Sequence, residues 1–215
     1  NVPRFWEKVY VGVHEKINSS APFMKKIFMD AIETGRLYNL EYKNKGIKAP
    51  FCLKTKFKFY DKTVFTLLKK VLGIERGRLF PVAGAPLSDT VNEFLQSVNI
   101  PIVYGYGLSE TTATVCFYPE IGFQFGSIGE IMPGVEVKID ESNGEILVKG
   151  KTVTTGYYNK PEENARAFTE DGFFRTGDAG RLEGNVLFFT ERIKDLYKTS
   201  NGKYIAPQAL ETKLV

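Results

Sequence analysis

Residues 104–112, YGYGLSETT, set an aromatic ring, two glycines, neighbouring hydroxyls and a lone carboxylate side by side. Such a set could serve a nucleotide. Tyr106 can stack on a purine, and Gly105 and Gly107 leave the backbone open to close approach. Ser109 and Thr111 can bond phosphate oxygens, and Glu110 is a hard oxygen donor of the kind Mg2+ takes. Alone, the same residues read equally well as a glycine turn after a buried strand. The rest of the chain has to decide between these.

The elements that must position them come from a chain of 215 residues, 43% hydrophobic and 25% charged, in the range of soluble globular proteins and unlike disordered ones. The formal net charge of +4 is scattered, with a local run at 54–62, KTKFKFYDK. Its interleaved aromatics read as strand core, so a solvated basic face is favoured over nucleic-acid binding. Cys52 and Cys116 are too few and too far apart for a disulfide framework or a zinc site, which favours a reducing cytoplasm. No apolar run reaches the roughly 20 residues that span a bilayer, and no signal-peptide pattern opens the chain. The chain starts on Asn1 rather than Met and stops at Val215 inside a helical pattern, so both ends read as cut.

Residues 4–17 carry Phe5, Trp6, Val9, Tyr10, Val13 and Ile17 at helical spacing behind Pro3. The single His14 lies on that helix without an acidic or cysteine neighbour of catalytic spacing and is expected to be packed or at the surface. A second helix is expected over 61–72, stopping at Gly73. From 78 the rhythm changes: RLFPVAGAPLS, a helix starting near Ser88, then NIPIVYGYG, which is the strand–loop–helix–strand grammar of a parallel α/β sheet. In such sheets ligands bind beyond the carboxyl ends of the strands, so VAGAP and YGYGLSE are expected to be neighbours. After residue 125, GEIMPGVEVKID, GEILVKG and NVLFFT read as antiparallel strands, in the manner of a small barrel, with a short helix opened by Pro161. The fold class expected is α/β: part of a parallel subdomain over 1–125, an antiparallel β subdomain over 126–190, and a linker beginning another domain over 191–215.

Four segments then stand in order: VAGAPLS at 82–88, YGLSETT at 106–112, FRTGD at 174–178, and ERIKDLYKTSNGKYIAPQALE at 191–211. Together they resemble the adenylate-forming superfamily of acyl-CoA synthetases, luciferases and peptide-synthetase adenylation domains. PGVEVKI, GEILVKG and TGYYNKPE fit the same pattern, and VPRFWEKVY with GKYIAPQALE looks most like the long-chain fatty acid CoA ligases. The resemblance implies an enzyme that joins a carboxylate to ATP, then passes the acyl group to the thiol of coenzyme A. It implies that Gly84, Ala85 and Pro86 form one wall of an adenine slot, with Tyr106 and Gly107 on the other side. Ser109 would bond the α-phosphate and Glu110 would coordinate Mg2+. Asp178 would take both ribose hydroxyls, although alone it reads as a turn aspartate after Gly177. Arg192 would add a ribose or phosphate contact, with Glu191 where the family usually has Asp. Lys194 matches the family's hinge and Gly202 the glycine beside which pantetheine passes.

The family's Ser/Thr/Gly-rich phosphate loop and its C-terminal catalytic lysine fall outside these residues, and no GxxxxGK[ST] stands in their place. The chain is therefore expected to be an internal segment of a longer ligase and inactive in isolation. Its expected partners are a fatty acid, ATP and coenzyme A, without nucleic acid, and with peripheral contact to a membrane as a further option. Activation of a shorter or aromatic acid, or a non-catalytic nucleotide-binding module, are the alternatives; clustering Glu110, Asp178 and Arg192 without a ligand would be costly.

Overall fold

The structure, a computed structural model, describes residues 2–193 and the backbone of Tyr197–Lys198 and Tyr204–Ile205. Its contacts divide into two compact units, one running up to Tyr104 and including Pro119–Phe123, the other comprising Gly105–Tyr118 and the chain from Gln124 onward.

In the first unit, helix α1 (Pro3–Asn18) buries Trp6, Val9 and Ile17. Trp6 meets Phe80 edge-on at 5.6 Å, and Tyr10 and His14 pack on Phe94 at 5.3 and 4.9 Å. His14 also bonds the Tyr10 carbonyl at 2.9 Å, the packed histidine expected. Helix α2 (Pro22–Arg36), for which the sequence pattern suggested no element, runs on into a π-helical turn, Leu37–Lys43. A longer helical run follows: α3 (Phe51–Tyr60), a π segment (Asp61–Phe65) and α4 (Thr66–Val71). The run corrects the reading of 54–62 as strand core. Lysine and aromatic residues alternate there, but the burial period is helical: Phe57 and Phe65 are buried, Phe59 is exposed, and Tyr38 stacks on Phe57 at 4.1 Å.

Strand β1 (Phe80–Val82) pairs in parallel with β2 (Ile102–Tyr106), Val82 opposite Tyr104, and helix α5 (Asp89–Ser97) makes the crossover. Ser88 sits at the N-cap of α5 and Asp89 in its first turn, where the helix dipole favours a negative charge. Buried polar groups lock this unit: Asn39 donates to the Gln96 carbonyl and Gln96 to the Ile102 carbonyl, both at 2.9 Å.

In the second unit the end of β2 pairs antiparallel with β3 (Cys116–Phe117), and the order continues β4 (Gly129–Ile131), β8 (Val186–Arg192), β7 (Phe174–Glu183), β6 (Glu145–Gly150), β5 (Val135–Ile139). All these pairs are antiparallel, as expected, but the sheet is open rather than barrel-like: among the described residues β5 makes strand pairs only with β6. Closure needs matched strand lengths and stagger, and β3 and β4 are short stubs beside β7 and β8. The 10-residue β7 was legible only as the FRTGD motif. The short helix opened by Pro161 is α6 (Pro161–Ala167).

Gly35 shows how tightly α2 approaches α5: a Cβ there would meet the Ser97 carbonyl oxygen at 1.9 Å, whereas one on Gly12 of α1 would meet nothing within 4 Å. Gly35→Ala is expected to destabilise the chain by roughly 1–3 kcal/mol through forced displacement, and Gly12→Ala to stabilise it by up to about 1 kcal/mol through helix propensity. Urea denaturation of the two variants checks the opposite signs.

Candidate nucleotide site

The second unit is organised around a buried carboxylate. Asp178, 1% exposed, lies in β7 directly opposite Arg192 of β8. Arg192 Nε donates to Oδ1 at 3.0 Å and the Tyr106 hydroxyl to Oδ2 at 2.7 Å. Burial, the Asp178 charge and this hydrogen bond push the Tyr106 hydroxyl far above its ordinary value, so it stays a proton donor throughout the working pH range. Tyr106 reaches this position because β2 ends against β3, Tyr106 opposite Cys116, and its ring lies 6.5 Å from that of Phe189.

Asp178 is a strand residue, not a turn aspartate. Gly177, at φ 73, bends the strand just before it. Thr176 braces the bend: its hydroxyl donates to the Ile146 carbonyl at 2.7 Å and accepts from the Asp178 N–H at 3.1 Å. Glu145, buried, accepts from the Gly177 N–H at 2.9 Å and from Arg175 at 3.0 Å. Glu145 and Thr176 lie inside matched motifs, and those motifs were the only signal available for them.

After Tyr106 the chain turns sharply. Gly107 has a packing reason to be glycine, since a Cβ would meet the Ala113 carbonyl oxygen at 2.1 Å. Ser109–Thr111 form one 3-10 turn, followed by Thr112 and Ala113 at φ 53 and 77, backbone costing about 1–3 kcal/mol for each such residue. Thr111 is not available to a phosphate: it is fully buried, accepting from the Leu108 N–H at 2.9 Å and donating to the Leu108 carbonyl at 3.0 Å. Ser109 is exposed, and its hydroxyl has no partner among the described residues. Glu110 is half-buried and accepts through Oε1 from the Tyr157 hydroxyl at 2.8 Å, a partner that sequence reading missed. Cys116 lies buried behind the strip, its thiol pushed up to about 12 by burial and so unreactive.

Tyr106, Ser109, Glu110, Asp178 and Arg192 thus share one unit. Gly84, Ala85 and Pro86 belong to the other: Gly84 has φ 88 with open space where a Cβ would be, and Ala85 receives the Tyr104 hydroxyl at 3.3 Å. β1, which leads into VAGAP, pairs in parallel with β2 through Val82 opposite Tyr104. Lys194 and Gly202 lie outside the described residues. A cavity of ≈ 620 Å³ lined by Glu145, Tyr157, Lys160, Arg166, Phe174 and others includes none of the residues expected to hold nucleotide.

The residues fit magnesium of one kind. Among the described residues no group of three or more His, Cys, Asp and Glu could hold a metal. Mg2+ commonly takes one or two carboxylates and completes its shell with water and substrate phosphates. Glu110, with Oε2 lacking a partner among the described residues, suits an ion arriving on a nucleotide.

The chain resembles known proteins along its whole length. It is 33% identical to long-chain-fatty-acid–CoA ligase 2 of Schizosaccharomyces pombe, covering 99% of this chain and 31% of that protein. It is also 33% identical to long-chain-fatty-acid–CoA ligase FadD15 of Mycobacterium bovis, covering 100% and 35%. The chain therefore spans about a third of the length of the curated relatives it matches. Among solved structures, O-succinylbenzoate coenzyme A synthetase of Bacillus subtilis in complex with ATP and magnesium ion superposes with TM-score 0.58 and 28% identity, over 64% of this chain and 31% of that one. The same enzyme with its acyl-adenylate intermediate gives 0.59 and 26%, over 68% and 34%. The family model described as AMP-binding enzyme matches residues 2–158, and the chain belongs to that family.

Proposed function

We propose that this chain is part of an ATP-dependent long-chain fatty acid–CoA ligase and carries the adenosine and α-phosphate side of its adenylating site. The observation that carries this reading is the Tyr106–Asp178–Arg192 network. It is a preformed set of polar groups around a buried carboxylate in a member of the AMP-binding family. Asp178 takes the ribose hydroxyls on lone pairs its two donors leave free, Tyr106 stacks on the adenine, and Ser109 bonds the α-phosphate. Magnesium, held by Glu110 and the phosphates, supplies charge neutralisation of the kind that phosphoryl chemistry depends on. An acyl carboxylate oxygen attacks the α-phosphorus and pyrophosphate leaves; the coenzyme A thiol sulfur then attacks the acyl carbon and AMP leaves. Lys194 as hinge and Gly202 beside pantetheine belong to the second half-reaction. Both half-reactions belong to the longer protein.

Long-chain acids are favoured over aromatic ones because the fatty-acid ligases are 33% identical to this chain over essentially its whole length. ATP–pyrophosphate exchange by the full-length protein across a series of acids tests this, with palmitate expected to exceed acetate and benzoate. Preference for benzoate would make it an aromatic-acid ligase, and ATP binding without exchange for any acid would make it a non-catalytic module.

Tyr106→Phe keeps the ring and removes one donor from a buried carboxylate. It should cost roughly 1–2 kcal/mol of stability while leaving AMP affinity within a few fold, whereas Tyr106→Leu should lose about tenfold or more of that affinity through lost stacking. Equilibrium dialysis with AMP separates the two.

The membrane contact is assigned to the helical run 51–71. Phe51, Phe59, Leu67 and Val71 are exposed on it, and Lys54, Lys58, Lys62 and Lys70 are exposed without a carboxylate partner among the described residues. Apolar anchors among uncommitted lysines suit an anionic lipid surface. No helix among the described residues is long and apolar enough to cross a membrane. Sedimentation with phosphatidylserine vesicles is expected to carry the protein down, and Lys58→Glu with Lys62→Glu to reduce this several-fold; equal binding to neutral phosphatidylcholine vesicles would remove the assignment.

A further inference from the structure

We infer that Tyr157 is a positioning residue for Glu110, holding its carboxylate in the orientation from which it takes up a nucleotide-borne divalent cation. The inference rests on the reading of residues 106–112 as a nucleotide site. Its own basis is a strap, residues 152–157, tied to the turn that carries Glu110 by three hydrogen bonds. The Thr154 N–H donates to the Glu110 carbonyl at 2.7 Å, the Thr112 hydroxyl to the Thr152 carbonyl at 2.7 Å, and the Tyr157 hydroxyl to Glu110 Oε1 at 2.8 Å.

The strap is itself fixed. Asn164 of α6 accepts from the Tyr157 N–H at 2.7 Å and donates to the Tyr157 carbonyl at 2.9 Å. Gly156 sits at φ 138 with the Asn164 amide 2.9–3.1 Å from where a Cβ would stand, so a side chain there would press on the amide that holds Tyr157. Tyr157 therefore presents its hydroxyl from a rigid base to a glutamate whose long side chain would otherwise sample several rotamers.

A neutral hydroxyl is the right partner for this work. A lysine or arginine at this position would neutralise the carboxylate and oppose a cation, whereas a phenol fixes one oxygen and leaves the charge in place. Ordering a ligand beforehand improves affinity without adding a contact, and partners behind a metal ligand typically matter by about 10–100-fold in metal affinity.

The experiment measures the ATP dissociation constant of the full-length protein by calorimetry, in excess Mg2+ and in EDTA, for the wild type, Tyr157→Phe, Glu110→Ala and Tyr158→Phe. The ratio of the two constants reports how strongly the site uses the cation. Tyr157→Phe is expected to shrink that ratio by about tenfold toward the Glu110→Ala value, with the EDTA constant unchanged. Tyr158, 91% exposed, is the neighbouring control and its variant should match the wild type. A wild-type ratio in Tyr157→Phe would overturn the inference. So would an equal loss in both conditions, which would make Tyr157 a strut for the strap alone. If Glu110→Ala also keeps the wild-type ratio, the failure lies with the nucleotide-site reading itself.

Discussion

An ionised carboxylate taken out of water costs several kcal/mol even after the protein relaxes around it, unless charge and hydrogen bonds replace the water. Asp178 is that carboxylate here, and its two partners come from strands far apart in sequence. Arg192 can reach it only if β7 and β8 pair in the register that sets 178 opposite 192. A slip by one residue would turn Asp178 to the other face. Tyr106 can reach it only if the end of β2 has joined the antiparallel order through β3. One buried charge thereby specifies how the second unit is put together, and Glu145, gripping Gly177 and Arg175 from β6, secures the strand on its other side.

The turn carrying Ser109 and Glu110 is built on a different principle. Thr112 and Ala113 occupy left-handed backbone that β-branched and Cβ-bearing residues avoid. They are kept there by the fit of Gly107 under the Ala113 carbonyl and by the hydrogen bonds that the Thr112 hydroxyl and the Glu110 carbonyl make with the strap. Packing that overrides local preference at this point presents two polar side chains outward, and Thr111, buried as a local brace, is spent on the turn itself.

Much of this was legible where a period or a motif carried it. The spacing of Trp6, Val9 and Ile17 identified α1, Ser88 with Asp89 marked the start of α5, and the short apolar runs of 146–148 and 186–189 marked β6 and β8. The alternation in 54–60 misled, because a lysine-rich helix with one buried aromatic per two turns can mimic period two over so short a window. β7 escaped because Gly177 and Gly180 interrupt it and polar residues fill it, while its pairing partners supply the order its own sequence lacks. At the site, Tyr106, Glu110, Asp178 and Arg192 came from motifs. The hydroxyl–carboxylate contacts did not, since Tyr157 stands 47 residues from Glu110 and no local pattern joins them.

The two carboxylates so placed are chemically unequal, and the difference is consistent with the two roles proposed for them. Asp178 is buried, with a donor on each oxygen, one of them cationic; such a group is neutralised, rigid and selective for further neutral donors at fixed positions, as a pair of sugar hydroxyls would be. Glu110 is half-exposed, held at one oxygen by a neutral phenol, and keeps its full charge with the other oxygen open among the described residues. A cation placed at Asp178 would have to displace or oppose Arg192, whereas the side-chain partner of Glu110 among the described residues is the neutral Tyr157 hydroxyl. On the proposed function, the same side-chain chemistry would be directed to two ligands by its neighbours: an arginine and burial would suit one carboxylate to hydroxyls, and a tyrosine at the surface would leave the other to a cation.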